Sequence, residues 1–208
     1  MSVAALFERI LPLVPGIEAR LADGLDKACG SGRAVIAFAH AVPASRFTGI
    51  DVSAEAVASS TSLASLQRLP AVRFVQGDVA ELHRLGTFDL ITAFDEVHDQ
   101  PRPARVLRRI HESLRTGGTW LTQDIAGDAR LADNRAHPLG PFLYTVSCLH
   151  GMSVSLAGGG QGPGALWGRE QAPEMLGAAG LDSVVVETLP HHPIDDYSIA
   201  KGAVVGRS

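Results

Sequence analysis

The chain has 208 residues and a net charge of −4, so it is bounded to one domain or a domain with a short extension; it carries no Lys/Arg tract, which makes nucleic acid a poor partner. Apolar residues make up 46% and charged residues 19%, a globular balance that excludes a disordered chain. Two cysteines, Cys29 and Cys148, cannot build the disulfide framework of a small secreted domain, and neither a secretory signal pattern nor an apolar run of membrane-spanning length is present; the expectation is a cytoplasmic protein.

Leu6, Ile10, Leu11, Val14 and Ile17 recur at near-helical spacing, broken by Pro12 and Pro15, and predict two short helices, the second running to about Leu21. A short stretch from Gly24 then enters the glycine-rich turn Ala28-Cys29-Gly30-Ser31-Gly32, and Arg33 to Ala41 reads as a helix closed by Pro43. Arg46 to Asp51 reads as a strand, with Ser53 as N-cap and Glu55 in the first turn of the next helix. Val72 to Val75 is a third strand ending at Gly77-Asp78, and Phe88 to Phe94 is a fourth, apolar enough to be buried on both faces. A helix from Pro103 to Leu114 stops at Gly117-Gly118; Arg102, Arg105, Arg108 and Arg109 recur on it at the spacing of a solvated face. Thr119 to Gln123 is the fifth strand.

Residues 125–168 are rich in Gly, Pro and His and too long for a bare loop in a compact domain. They read as an inserted cap with one or two short helices around Leu143 to Ser153. A helix from Arg169 to Ala179, a sixth strand from Leu181 to Leu189 and a last one from Tyr197 to Val205 follow. Strand and helix alternate, which predicts an α/β fold: a doubly wound, seven-stranded, mostly parallel sheet with helices on both faces. The whole chain, 1–208, is expected to be a single domain, with 1–22 as an N-terminal helical segment and 125–168 as the cap.

In such a sheet ligands sit outside the carboxyl ends of the strands. Five features fall there: Asp26 with the glycine-rich turn, Asp51, Gly77-Asp78, Phe94-Asp95 through His98-Asp99, and Gln123-Asp124. Glycines let a backbone approach a ligand closely. A carboxylate roughly 20 residues after the glycine turn can accept both hydroxyls of a ribose.

Asp, Gly-x-Gly, a ribose-type Asp and Gly-Asp, each at a strand end, resemble the pattern of class I S-adenosylmethionine-dependent methyltransferases, and the resemblance runs from about Leu11 to Gly202. Within that superfamily the chain is most similar to a subgroup marked here by the ten residues from His98 to Leu107, by His137 to Tyr144 and by Met152 to Leu156. Members of that subgroup usually carry an N-terminal winged-helix domain that helps form a dimer; this chain starts where that domain would end. The resemblance implies S-adenosylmethionine as cofactor. Asp26, Ala28, Gly30 and Gly32 would surround its methionine part, Asp51 would hold the ribose, and Asp78 with the backbone of Val79 would meet the adenine. Phe94 and Asp95 would line the methionine end, and His98-Asp99 is similar in place to a His-Asp pair whose His is the general base of small-molecule O-methyltransferases. Tyr144, His150, Met152 and Trp167 would be cap residues around a small-molecule acceptor.

That chemistry suits these residues. The cofactor carries an activated methyl group as a sulfonium, so the protein has to hold nucleophile, methyl and sulfur in line. A hydroxyl acceptor gains from a base, and His98, with an ordinary imidazole pKa of about 6.5, suits neutral pH.

Other readings compete at particular residues. Asp26 or Asp51, taken singly, could cap a helix or end a strand. His191-His192 with Asp195-Asp196 invites a metal, but these residues are expected in a connection between strands and match no zinc spacing, so no metal is expected. A nicotinamide-binding domain is disfavoured because Val35 stands where the third glycine of its fingerprint belongs. Lys27 and Ala28 stand where the family has an apolar residue and a glycine, which motivates an alternative: a degenerate module that acts through protein association. The apolar stretch Leu6 to Val14 is expected to be exposed and to favour a homodimer.

Overall fold

The computed structural model describes residues 6–14, 16–17, 23–27, 32–97, 100–127, 134, 139–149, 171–190 and 192–202, with backbone alone for 6–7, 23–27, 143, 146–149 and 192–193. Strands β1 (Asp23–Lys27), β2 (Arg46–Asp51), β3 (Val72–Gln76), β4 (Phe88–Phe94), β5 (Leu114–Ile125), β6 (Asp182–Leu189) and β7 (His192–Lys201) form one sheet in the order β3-β2-β1-β4-β5-β7-β6. β1 to β5 run parallel, and β7 is antiparallel to both β5 and β6. The order reverses between β1 and β4, so the carboxyl ends of those two strands flank the crevice where a ligand of a doubly wound sheet sits.

Helices α1 (Arg33–Ala41), α2 (Ala54–Leu66), α3 (Pro103–Ser113), α4 (Gly140–Leu149) and α5 (Gln171–Ala178) complete the described elements, with a short 3-10 turn at Val79–Leu85. Side chains alternate across each strand, and the core divides accordingly. Ile91, Trp120 and Ala200 face one cluster with Val106, Leu107 and Ile110 of α3 and Leu176 of α5. Leu90, Leu121 and Ile199 face the other with Val35 and Phe38 of α1. In α3 the buried residues recur every three to four positions while Arg102 and Arg108 stay exposed, as a solvated arginine face requires.

The N-terminal residues correct two expectations. Leu6–Ile10 forms a π-helical turn followed at once by a 3-10 turn at Leu11–Leu13, with Pro12 in its first positions, rather than two ordinary helices. Nor is this stretch an exposed patch: Ile10, Leu11, Val14 and Ile17 are buried in the second cluster, where they cover that face of the sheet. The apolar surface that motivated a homodimer is therefore consumed within the chain at those residues.

Two strands are longer than their apolar runs. β5 begins at Leu114, opposite Phe88, and regains regular register only at Thr119, opposite Leu90. Gly117, with φ of +71°, sits in the irregular stretch between. β7 begins at His192, not Tyr197, because His192, Asp195 and Asp196 pair with β5 or β6. Asp195 and Asp196 thus belong to a strand and not to a connection. Among the described residues no helix is long and apolar enough to cross a membrane.

Candidate active site

Strand direction brings the carboxyl ends of β1 to β5 and the start of antiparallel β7 to one end of the sheet. Asp26 is the penultimate residue of β1, in register with Gly49 of β2 and Thr92 of β4. Ala28 and Gly30, of the following turn, lie outside the described residues, as do His98 and Asp99 after β4 and His150, Met152 and Trp167.

Gly32 closes the turn as the N-cap of α1, with φ of +67°. A Cβ there would lie 2.8 Å from the Phe74 ring and 2.9 Å from Ser60 Cβ. The glycine therefore has a packing reason, the seating of α1 against α2 and β3, beside any approach to a ligand.

Asp51 ends β2, half-buried, and its Oδ1 accepts the Ser53 N–H at 2.9 Å. That contact turns the chain into α2, whose N-cap Ser53 accepts from Ala56 N–H through its hydroxyl. An ionised carboxylate has about four acceptor sites, and the Ser53 contact takes one of them. The next strand end is tied to this one: Gly77 N–H donates to the Asp51 carbonyl at 2.9 Å, and Gln76 Nε2 to the Val52 carbonyl at 3.2 Å. Asp78 is exposed and its Oδ1 caps the following turn through Ala80 N–H, while Val79 is buried. Asp51 and Asp78 thus stand on neighbouring strand ends, acceptors of the kind an adenosine's hydroxyl and amino donors would meet.

β4 ends in Phe94, half-buried, and Asp95, exposed with φ of +56°. The left-handed turn at Asp95 is held from both sides by β5: its N–H donates to the Gln123 carbonyl at 3.0 Å, and its Oδ2 accepts Gln123 Nε2 at 3.0 Å. The same Nε2 donates to Asp195 Oδ2 at 2.8 Å. Gln123 is 2% exposed, and its Oε1 has no hydrogen-bond partner among the described residues. Beside this group Tyr197 is buried, and its phenol is pushed up to about 12, first by burial and then by the charges of Asp195 and Asp95. Tyr197 therefore stays a neutral phenol at any ordinary pH.

Gln123 and Asp124 are among the strand-end features that the sequence shows; Asp195 and Tyr197 are not, because polar residues at the start of a buried strand resemble a loop. Tyr144 lies on α4, and its hydroxyl accepts from Asn134 Nδ2 at 2.9 Å. Asn134, almost fully buried, is a further residue that composition did not single out. Among the described residues no group of His, Cys, Asp and Glu is arranged to hold a metal ion.

A sheet of this order with acids at the ends of β1, β2, β3 and β4 defines a class I S-adenosylmethionine-dependent methyltransferase. The chain belongs to the methyltransferase domain family, which it matches over residues 22–150. It is similar to trans-aconitate 2-methyltransferase from Deinococcus radiodurans, 36% identical over 111 residues that make up 53% of this chain and 40% of that protein. Among solved structures, a candidate O-methyltransferase from Nostoc punctiforme PCC 73102 superposes with a TM-score of 0.73 at 20% identity, covering 95% of this chain and 55% of the other. PigF with S-adenosylhomocysteine superposes with a TM-score of 0.66 at 19% identity, covering 88% of this chain and 51% of the other. The chain spans about half the length of the relatives it matches. S-adenosylmethionine is the methyl donor that family and fold imply, and the acceptor capacity of Asp51 and Asp78 fits its adenosine.

Proposed function

We propose that the chain transfers the methyl group of S-adenosylmethionine to an oxygen of a small-molecule acceptor. The observation that carries this reading is the half-buried Asp51 carboxylate at the end of β2, anchored by Ser53 and tied through its backbone to Gly77, beside the exposed Asp78. In this reading Asp51 accepts the ribose hydroxyls and Asp78 with the backbone of Val79 meets the adenine. Asp26, Ala28, Gly30, Gly32, Phe94 and Asp95 surround the methionine part. His98 removes the acceptor's proton with Asp99 beside it. The single domain 1–208 closes over the acceptor with its cap 125–168, where Tyr144, His150, Met152 and Trp167 contribute. Oxygen as the methylated atom rests on the likeness of the His98-Asp99 pair to that of O-methyltransferases and on the O-methyltransferase-type solved structure.

The test is calorimetric titration with S-adenosylmethionine and S-adenosylhomocysteine. Micromolar binding is expected, weakened about 100-fold in Asp51→Ala, since two hydrogen bonds to a charged group are lost. His98→Ala is expected to slow formation of S-adenosylhomocysteine at unchanged cofactor affinity; equal turnover removes His98 from the mechanism.

A second reading has its own observation. The strand flanking the switch point is Asp23-Gly24-Leu25-Asp26-Lys27, paired on both sides by β2 and β4, an unusually polar run for the centre of a parallel sheet. A module that keeps the fold but binds the cofactor weakly, acting through protein association, accounts for it. A folded chain that binds neither cofactor form supports this second reading, and restored binding in Lys27→Val with Ala28→Gly locates the cause.

A further inference from the structure

Gln123 is a polar side chain in a buried place on β5. It follows Leu121 by two residues and so shares that residue's side of the sheet, the side covered by α1, the helix that follows the glycine-rich turn. Its cross-strand partner on β7 is Tyr197, and Asp195 lies two residues before Tyr197 on the same face. On its other flank Phe94 of β4 is in register with it, and Asp95 follows Phe94 in a left-handed turn.

The direction of the amide is fixed by its neighbours. Nε2 donates to Asp195 Oδ2 at 2.8 Å and to Asp95 Oδ2 at 3.0 Å. An ionised carboxylate only accepts, so the donor end of the amide has to face the two acids. Oε1 then has no hydrogen-bond partner among the described residues, and a buried acceptor in that condition is unfavourable. An apolar side chain of similar size avoids that cost, so what the amide supplies is its pair of donors. Asp95 is exposed, and an exposed carboxylate needs no buried partner for its solvation. A tether from Gln123, almost fully buried, gives Asp95 a single direction instead. The same residue also accepts the Asp95 N–H through its carbonyl at 3.0 Å, so Gln123 holds both the backbone and the side chain of Asp95.

We propose that Gln123 is a positioning residue for the methionine end of the cofactor: it fixes the Asp95 carboxylate in the direction from which that carboxylate meets the α-ammonium group. This role rests on the placement of Asp95 at the methionine end in the proposed function. An ammonium is a cation that only donates, and two carboxylates drawn to one amide nitrogen concentrate negative charge at this strand end.

The intact chain is titrated calorimetrically with S-adenosylhomocysteine and with 5′-methylthioadenosine, which keeps the adenosine and the thioether and has neither ammonium nor carboxylate. The parent is expected to prefer S-adenosylhomocysteine by about tenfold or more, since hydrogen bonds to a charged ammonium are at stake. Gln123→Leu is expected to weaken S-adenosylhomocysteine about tenfold and to leave 5′-methylthioadenosine within about twofold, a selectivity that a merely loosened fold does not produce. In an Asp95→Asn background, where asparagine tolerates the left-handed backbone, the same Gln123 substitution is expected to add less than about twofold. If Gln123→Leu does not stay folded, Gln123→Asn, whose amide is one carbon shorter and cannot span both acids, is expected to show the same selective loss. Equal weakening of both ligands, an unchanged affinity for S-adenosylhomocysteine, or an undiminished loss in the Asp95→Asn background overturns the positioning role and leaves cofactor binding through Asp51 standing. A parent that binds both ligands alike overturns it in the same way. A folded parent that binds neither ligand fails the cofactor reading itself, and this role with it.

Discussion

The Gln123 side-chain amide meets the Asp195 carboxylate at 2.8 Å although the two residues are 72 positions apart, and the same nitrogen reaches Asp95 at 3.0 Å. One buried amide therefore joins three strands, β4, β5 and β7, at the end of the sheet where the methyl group is transferred in the proposed reaction.

Removal of that donor has a calculable consequence. Hydrogen bonds to charged groups contribute about 1.5–3 kcal/mol each. Gln123→Leu loses two. We expect it to lower the unfolding free energy by about 3 kcal/mol or more in urea denaturation. A loss below about 1 kcal/mol means that the network holds nothing together.

This network also marks the limit of what the sequence reveals. β4 was legible because seven consecutive residues are mostly apolar, and α3 because Val106, Leu107 and Ile110 recur at helical spacing. Ser53, Asp51 and Asp78 were legible because a capping residue or an acid after a strand has a local meaning. Asp195 was not: its burial goes with a contact to Gln123, a residue on another strand. The burial of Ile10 and Val14 was hidden for the same reason, since their partners Leu121 and Ile199 come from the far end of the chain.

The phenol of Tyr197 gives a pH signature. Its folded value of about 12 lies above the ordinary 10, so the folded state binds that proton more tightly than the unfolded chain. The stability it contributes is present in full below about pH 10 and is lost as pH rises toward 12. Absorbance at 295 nm is expected to show a tyrosinate component near pH 12 that is missing in Tyr197→Phe, and the variant should lose less stability than the parent over that interval. A parent chain whose tyrosines are both fully ionised by pH 11 contradicts the buried environment.

The N-terminal turns should contribute to stability as core and not as an accessory. Ile10 is fully buried among residues of α1, β5 and β7. Truncation of a buried isoleucine to alanine typically costs 2–5 kcal/mol, so Ile10→Ala is expected to fall in about that range by thermal or chemical unfolding. A surface patch would give less than about 0.5 kcal/mol. The same measurement thus distinguishes a self-covered sheet face from one that waits for a second copy.

Gly32 combines two constraints that a mutant cycle can separate. Its φ of +67° disfavours any side chain by about 1–3 kcal/mol, and a Cβ would press on the Phe74 ring at 2.8 Å. Gly32→Ala should therefore destabilise through both terms. In a Phe74→Leu background the ring edge is gone while the backbone strain stays. The cost of Gly32→Ala is then expected to fall by about 1 kcal/mol, a coupling typical of residues in contact. An undiminished cost removes the Phe74 ring as a cause and leaves the backbone and the Ser60 contact at 2.9 Å to carry the effect.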